Sequence, residues 1–169
     1  MTNTINKFAE QGGRLKTDDI DFDAFRSEPL SAAVLRCLSY MHDIEYQTVL
    51  YTRELLMMPQ WKDPEFTSFL TLWNYEEYWH GDAIGRVLEA HDWPSHDERL
   101  IAMRRFNKRY LQWSPAIFWT LSRVVRRFPA VHMTWGAINE WTANAAYNRL
   151  AALSAHPVMA ELLHRIQRQ

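Results

Sequence analysis

Trp73-Asn74-Tyr75-Glu76-Glu77-Tyr78-Trp79-His80-Gly81-Asp82 is the stretch on which the reading of this chain turns. It lies in an uninterrupted run from Pro64 to about His91, where Phe66, Phe69, Leu70, Trp73, Ile84 and Leu88 recur at helical spacing. Glu77 and His80 fall on the same stripe, one turn apart, so a carboxylate and an imidazole point where apolar side chains belong. An unpaired carboxylate in an apolar core costs about several kcal/mol or takes up a proton, so its presence there needs a reason.

The neighbouring segments repeat the anomaly. A first helix is expected from about Ser31 to Met58, stopped by Pro59, with Val34, Leu38, Met41, Val49 and Leu56 on one face and Glu45 in the middle of it. A third long helix, from near Pro129 to about Ala155, sets Glu140 among Met133, Ala137, Tyr147 and Leu150. Glu45 is 13 residues before Met58 and Glu77 is 13 after Pro64. In an antiparallel pair, a rise of about 1.5 Å per residue brings both carboxylates to one level, about 20 Å from the turn. A lone buried Glu is usually paired with an arginine, and a lone Glu-x-x-His usually decorates a surface. Three acids on three long helices shift that balance toward a shared cation. Oxygen and imidazole ligands suit iron or manganese, and the single Cys37 offers little for a thiolate site.

A fourth helix is expected to begin at Pro157. Its Glu161-Leu162-Leu163-His164 repeats the motif at the wrong level and on the wrong face, because Met159, Leu162, Leu163 and Ile166 form the apolar stripe. Glu161 and His164 are therefore expected to face solvent, with Glu161 and Arg165 at ion-pair spacing. The stripe extrapolates to position 170, at the level of the other acids, whereas the sequence ends at Gln169. Two expectations follow: a shortened chain whose next residues would begin a second Glu-x-x-His, or a chain that ends here with a degenerate site. In either case metal occupancy is expected to be partial or absent.

The rest of the sequence sets boundaries. The chain's 169 residues, 47% of them hydrophobic and 14% aromatic, suffice for one core and argue against disorder. A formal charge of -1 lacks the basic excess that nucleic acid binding needs. The longest stretch free of charge and histidine, Leu111 to Ser122, is too short to span a membrane. With one cysteine and a polar start, a reducing cytoplasmic compartment is expected. Residues 1–28, with Gly12-Gly13 and the acidic Asp18, Asp19, Asp21 and Asp23, read as a loosely structured arm, and 29–169 as one domain. Between the second and third helices, Asp97 to Phe128 reads as one or two helices carrying Arg104, Arg105, Lys108, Arg109, Arg123, Arg126 and Arg127. The expected fold class is all-α.

The quoted stretch resembles the Trp-x-x-Glu-Glu-x-x-His-Gly-Asp segment of the soluble acyl-carrier-protein desaturases, members of the ferritin-like di-iron superfamily. The likeness extends over about residues 30 to 169, with the second-helix motif its specific part. It implies a ferritin-like four-helix bundle, with a long helical crossover between helices two and three and a truncated fourth helix. It also implies two iron ions, with manganese as the alternative, held by Glu45, Glu77, His80 and Glu140 plus a fourth-helix pair absent from this sequence. The implied activity is oxygen-dependent desaturation of a fatty acyl chain, with a ferredoxin-like electron donor, an acyl carrier protein as partner and a homodimeric assembly. Arg104, Arg105, Lys108 and Arg109 either steer such an acidic carrier or form a solvated helix face. Two features depart from the pattern: the chain stops before the fourth-helix motif, and Ala143 stands where the desaturases carry a Thr, with Thr142 rotated off that face. Other oxidations, N-oxygenation or hydroxylation, therefore remain alternatives, as does a non-enzymatic binding module with a degenerate site. Trp73, Trp79, Thr142 and Tyr147 are the further candidates around the ligands, with Trp135 and Trp141 nearby; each either lines a cavity or fills core.

Overall fold

The computed structural model describes residues 5–7, 10, 12–94 and 96–169. Among these there is no strand, and the architecture is all-α. A short helix α1 (Ala24–Ser27) precedes the long α2 (Ala32–Leu56). A 3-10 turn at Pro59–Lys62 leads into α3 (Pro64–Ala90), followed by α4 (His96–Phe106), α5 (Lys108–Val124), α6 (Phe128–Ser154) and α7 (Pro157–Arg168). Local chemistry sets these bounds. Ser31 caps α2 by accepting from the Val34 N–H, and Asp63 caps α3 by accepting from Glu65 N–H ahead of Pro64. The sequence break near Pro59 and the helix starts at Pro64 and Pro157 agree with the expected bounds. α6 ends on Ala155 in the left-handed region, and His156 caps α7. The crossover breaks at Asn107, while Pro115 is accommodated inside α5.

α2 and α3 form the most extensive helix pair, and α6 and α7 form the second. Leu35, Leu38 and Met41 of α2 meet Ile84 and Val87 of α3, Tyr147 and Leu150 of α6, and Met159, Leu162 and Leu163 of α7 in one core. At about 1.5 to 3 kcal/mol for each fully buried Leu or Ile, this cluster is the principal apolar contribution to the fold. A second cluster around Leu55, Met58 and Leu70 closes the opposite end, joined by Phe66, Phe69, Trp73, Phe118 and Met133. Glu45, Glu77 and His80 lie between the two clusters along their helices.

Two expectations need correction. Val49 and Leu56 are 53% and 43% exposed; below Glu45 the buried face of α2 continues through Thr48, Thr52 and Leu55 instead. The straight four-residue spacing drifts off the face of a helix that turns every 3.6 residues, and small polar Thr residues replace the apolar ones expected. The arm is also less loose than its composition implies. Leu15 and Phe25 join the main core, and Asp19 pairs with Arg165. The Phe25 ring stacks on His156 with centroids 4.6 Å apart.

Candidate metal centre

α2 and α3 approach closely at the level of the buried acids. A Cβ on Gly81 would lie 2.5 Å from two ring carbons of Tyr46 and 3.5 Å from the Cβ of Glu45. Glycine at this position therefore lets the helices close and brings Glu45 against the Glu77-x-x-His80 turn. Glu45, Glu77 and His80 are each 6% exposed. One ligand-capable atom from each lies within 4.8 Å of the others. Tyr147 of α6 donates its phenol hydrogen bond to Glu45, and the Glu45 and Glu77 carboxyl groups are themselves hydrogen-bonded. His80 Nδ1 is 3.8 Å from Glu77, while Nε2 is 3.1 Å from the side-chain oxygen of Gln169.

Burial, followed by the neighbouring Glu45, drives the Glu77 carboxyl far above the ordinary range; Glu140 and Glu76 add to it. Burial holds the His80 imidazole below its usual value. Two other buried acids on α2, Asp43 and Glu54, carry no signal in the sequence, and their partners make the contrast informative. Asp43 receives both Nε and Nη2 of Arg99, at 3.0 and 2.9 Å, and contacts His42. Glu54 accepts from Tyr110 at 2.8 Å and lies 3.9 Å from His132. Nothing around Asp43 or Glu54 in the sequence marks them, because their partners come from the crossover and α6. Glu45 and Glu77, by contrast, meet each other, a phenol, an imidazole and further carboxylates, with no arginine or lysine lining their cavity among the described residues.

Glu140 stands apart from this trio. The residue as a whole is exposed, but its carboxyl end turns toward the cavity, where it is hydrogen-bonded with the Trp73 side chain and where partial desolvation with the Glu45 charge raises it to about 7. It nevertheless borders the same cavity of about 430 Å³, which runs from Phe69 and Met133 past the trio to Tyr147 and Ile166. Trp73 and Tyr147 line this cavity, as does Trp141 although it is 79% exposed. Trp79 does not line it; the ring packs under Arg14 and against Tyr75 and Tyr78. Thr142 turns outward and donates to the Ile138 carbonyl, and Trp135 is exposed away from the cavity. Both lie on the face of α6 opposite the cavity, where the helical spacing directs them. Ala143 does line the cavity. Glu161 pairs with Arg165 at 2.7 Å and His164 is exposed, in keeping with the solvent-facing assignment. Arg104, Arg105, Lys108 and Arg109 are all exposed.

Glu76 is the site residue that sequence reasoning missed. It is 3% exposed, lines the cavity, and is raised to about 7 by burial, with the Gly13 N–H working the other way. The clue was its position four residues before His80, which puts the two on a common flank.

These shifts set a pH dependence for the protein held free of metal. Glu76 and Glu140 hold their protons more tightly folded than unfolded, so the stability they contribute is complete below about pH 4.5 and lost as pH rises through 7. His42, His80 and His132 are shifted down, so their contribution is present above about pH 6.5 and lost on acidification. In chelator, the melting temperature is expected to peak in the weakly acidic range and fall between about pH 6 and 7, where the imidazoles are already neutral and Glu76 and Glu140 complete their loss of protons. A flat or rising profile across that interval would contradict the assignment.

No family model, curated protein or solved structure matches the chain. No helix among the described residues is long and apolar enough to cross a membrane.

Proposed function

We propose that this chain is a metal-dependent oxidoreductase of the ferritin-like di-iron kind, similar to the acyl-carrier-protein desaturases and acting on an apolar, fatty-acyl-like substrate. The observation that carries the reading is the buried Glu45–Glu77–His80 cluster, whose ligand atoms converge within 4.8 Å with no arginine or lysine lining their cavity among the described residues. Burying charges without pairing is too costly to persist for packing alone, and a divalent cation is the partner that fits oxygen and imidazole donors. Glu45, Glu77 and His80 would hold iron, or manganese, with Glu140 nearby. Such a metal supplies reduction of dioxygen coupled to oxidation of substrate.

The protein's own residues account for the rest. Tyr147 orients Glu45 through its phenol. Phe69, Trp73, Met133 and Ile166 give the cavity an apolar wall. Met133 and Tyr147 are 14 residues apart on α6, so the cavity extends about 20 Å, narrow for its volume and suited to an extended chain. Ala143 at the wall supplies no hydroxyl, which leaves hydroxylation and N-oxygenation beside desaturation as outcomes. The exposed basic residues Arg104, Arg105, Lys108 and Arg109 suit an acidic carrier or a ferredoxin-like donor. The test is anaerobic loading of the full chain with Fe(II), removal of free metal, elemental analysis, then exposure to oxygen with an acyl thioester. Retained iron and oxygen uptake are expected; a chain that retains neither iron nor manganese would overturn the reading.

A second reading has its own observation. The hydrogen bonds of Glu45 with Tyr147 and Glu77, and of His80 with Gln169, satisfy the cluster with protons alone. On that reading the chain is an interaction or lipid-binding module with a degenerate site, and it would retain no metal in the same experiment.

A further inference from the structure

The charges of this chain are strongly segregated. Eight of its 19 lysines and arginines and none of its 20 acids fall between Arg99 and Asn139, leaving 11 basic residues against 20 acids, a formal −9, elsewhere. Arg99 turns inward to Asp43, while the other seven, from Arg104 to Arg127, are exposed on α4, α5 and the turn after them. Apolar side chains stand in water among them. Phe106, between Arg105 and Lys108 at the α4–α5 break, is 91% exposed. On α5, Trp113, Ile117 and Val124 are 67%, 51% and 76% exposed and share one flank at helical spacing, beside Arg109 and Arg123. The Arg123 guanidinium lies 3.9 Å from the centroid of the Trp119 ring. The inner side of α5 differs: Ser114 is buried, and Phe118 packs in the second cluster with Phe69, Trp73 and Met133, which line the cavity. α5 thus stands between the outer apolar stripe and that end of the cavity.

We propose that the α4–α5 crossover is a docking surface for an anionic lipid bilayer, with Phe106, Trp113 and Ile117 inserted at the headgroup level and the arginines on the lipid phosphates. The match is one of charge and of polarity together. An anionic leaflet attracts a basic segment within a Debye length, and indole and aliphatic groups bordered by arginine are the make-up of a helix that lies in a membrane interface. A soluble acidic protein or a nucleic acid answers the charges but has no general use for a stripe of exposed indole and aliphatic side chains. The formal −9 elsewhere turns the rest of the molecule away from the same leaflet, which fixes the orientation. Docking of this kind does not involve the metal position. On the reading of the cavity given above, it also brings acyl chains beside the Phe69–Met133 end.

The experiment floats the full chain, in chelator, with vesicles of phosphatidylcholine alone or with about 30% phosphatidylserine. Wild type is expected to float with the anionic vesicles only, to be held less as salt rises to about 0.5 M, and to have its tryptophan fluorescence quenched by brominated acyl chains. Arg104→Glu, Arg105→Glu, Lys108→Glu and Arg109→Glu combined are expected to weaken binding by about 100-fold or more, at about fivefold per charge. Trp113→Ser with Ile117→Ser is expected to weaken it by about 10-fold and to reduce the quenching. Circular dichroism checks that each variant folds; if the fourfold one does not, Arg105→Gln with Lys108→Gln takes its place, with about 10-fold weakening expected. A wild type that stays unbound, or that floats equally with neutral vesicles, would overturn the docking surface. Anionic binding without quenching, unchanged by Trp113→Ser with Ile117→Ser, would assign the arginines to a soluble acidic partner and overturn the bilayer. Since metal is absent throughout, failure here leaves the iron-loading result untouched, and a chain that retains no metal leaves this one untouched.

Discussion

Replacing Glu77 by leucine is expected to raise the melting temperature of the chain in chelator by several degrees and at the same time abolish its retention of divalent metal. Glu77 is buried, pressed against Glu45 and kept protonated by its surroundings. Exchanging a buried polar cluster for apolar groups of similar volume is often stabilising by about 1 to 4 kcal/mol. For a chain of this length, each kcal/mol moves the midpoint by roughly 2 to 4 °C. The leucine side chain of Glu77→Leu would continue the apolar face between Trp73 and Ile84. Wild type should overtake the variant once metal is added, since ligand at about 100 times its dissociation constant contributes about 2.7 kcal/mol. Thermal melts of both proteins with chelator and with Mn(II) make the comparison. A variant that melts lower in chelator and still retains metal would show that the carboxyl is there for packing.

Phe25→Ala is expected to cost about 3 to 5 kcal/mol, roughly a 10 °C fall in melting temperature. The ring is fully buried and stacks on His156, with His91 at 5.9 Å. It joins the segment before α2 to both the end of α3 and the start of α7. Were residues 1–28 a loose arm, truncating one aromatic ring in it would change stability by no more than about 0.5 kcal/mol. Chemical denaturation of the two proteins separates these outcomes.

The all-α class and the long helices were legible because their signals are local: period, caps and proline stops. Glu45 and Glu77 were legible as neighbours because equal distances from one turn fix their level in a helix pair. The arm is tighter than its acidic, glycine-bearing composition implies because its core contacts come from Leu15 and Phe25, too few and too far apart for a pattern. Asp43 and Glu54 were invisible because Arg99, Tyr110 and His132 meet them only in three dimensions. Glu76 was hidden by its neighbour: next to a residue on the stripe, its own inward turn depends on where the arm crosses α3. Trp79 and Thr142 show the limit of proximity along the chain, since both are within two residues of a proposed ligand and both point elsewhere.

Gly13 touches Glu76 and Gln169 with its peptide groups alone, and its φ of 119° lies in a region that side-chain-bearing residues rarely adopt. What this stretch contributes is thus a shape, not a chemistry. Unlike Arg14 over Trp79 and Leu15 in the core, Gly13 itself offers only its bend. The contact that ties the leading segment to Glu76 and Gln169 would then leave a single glycine in a set of related sequences, where comparison by side chains would find nothing to align.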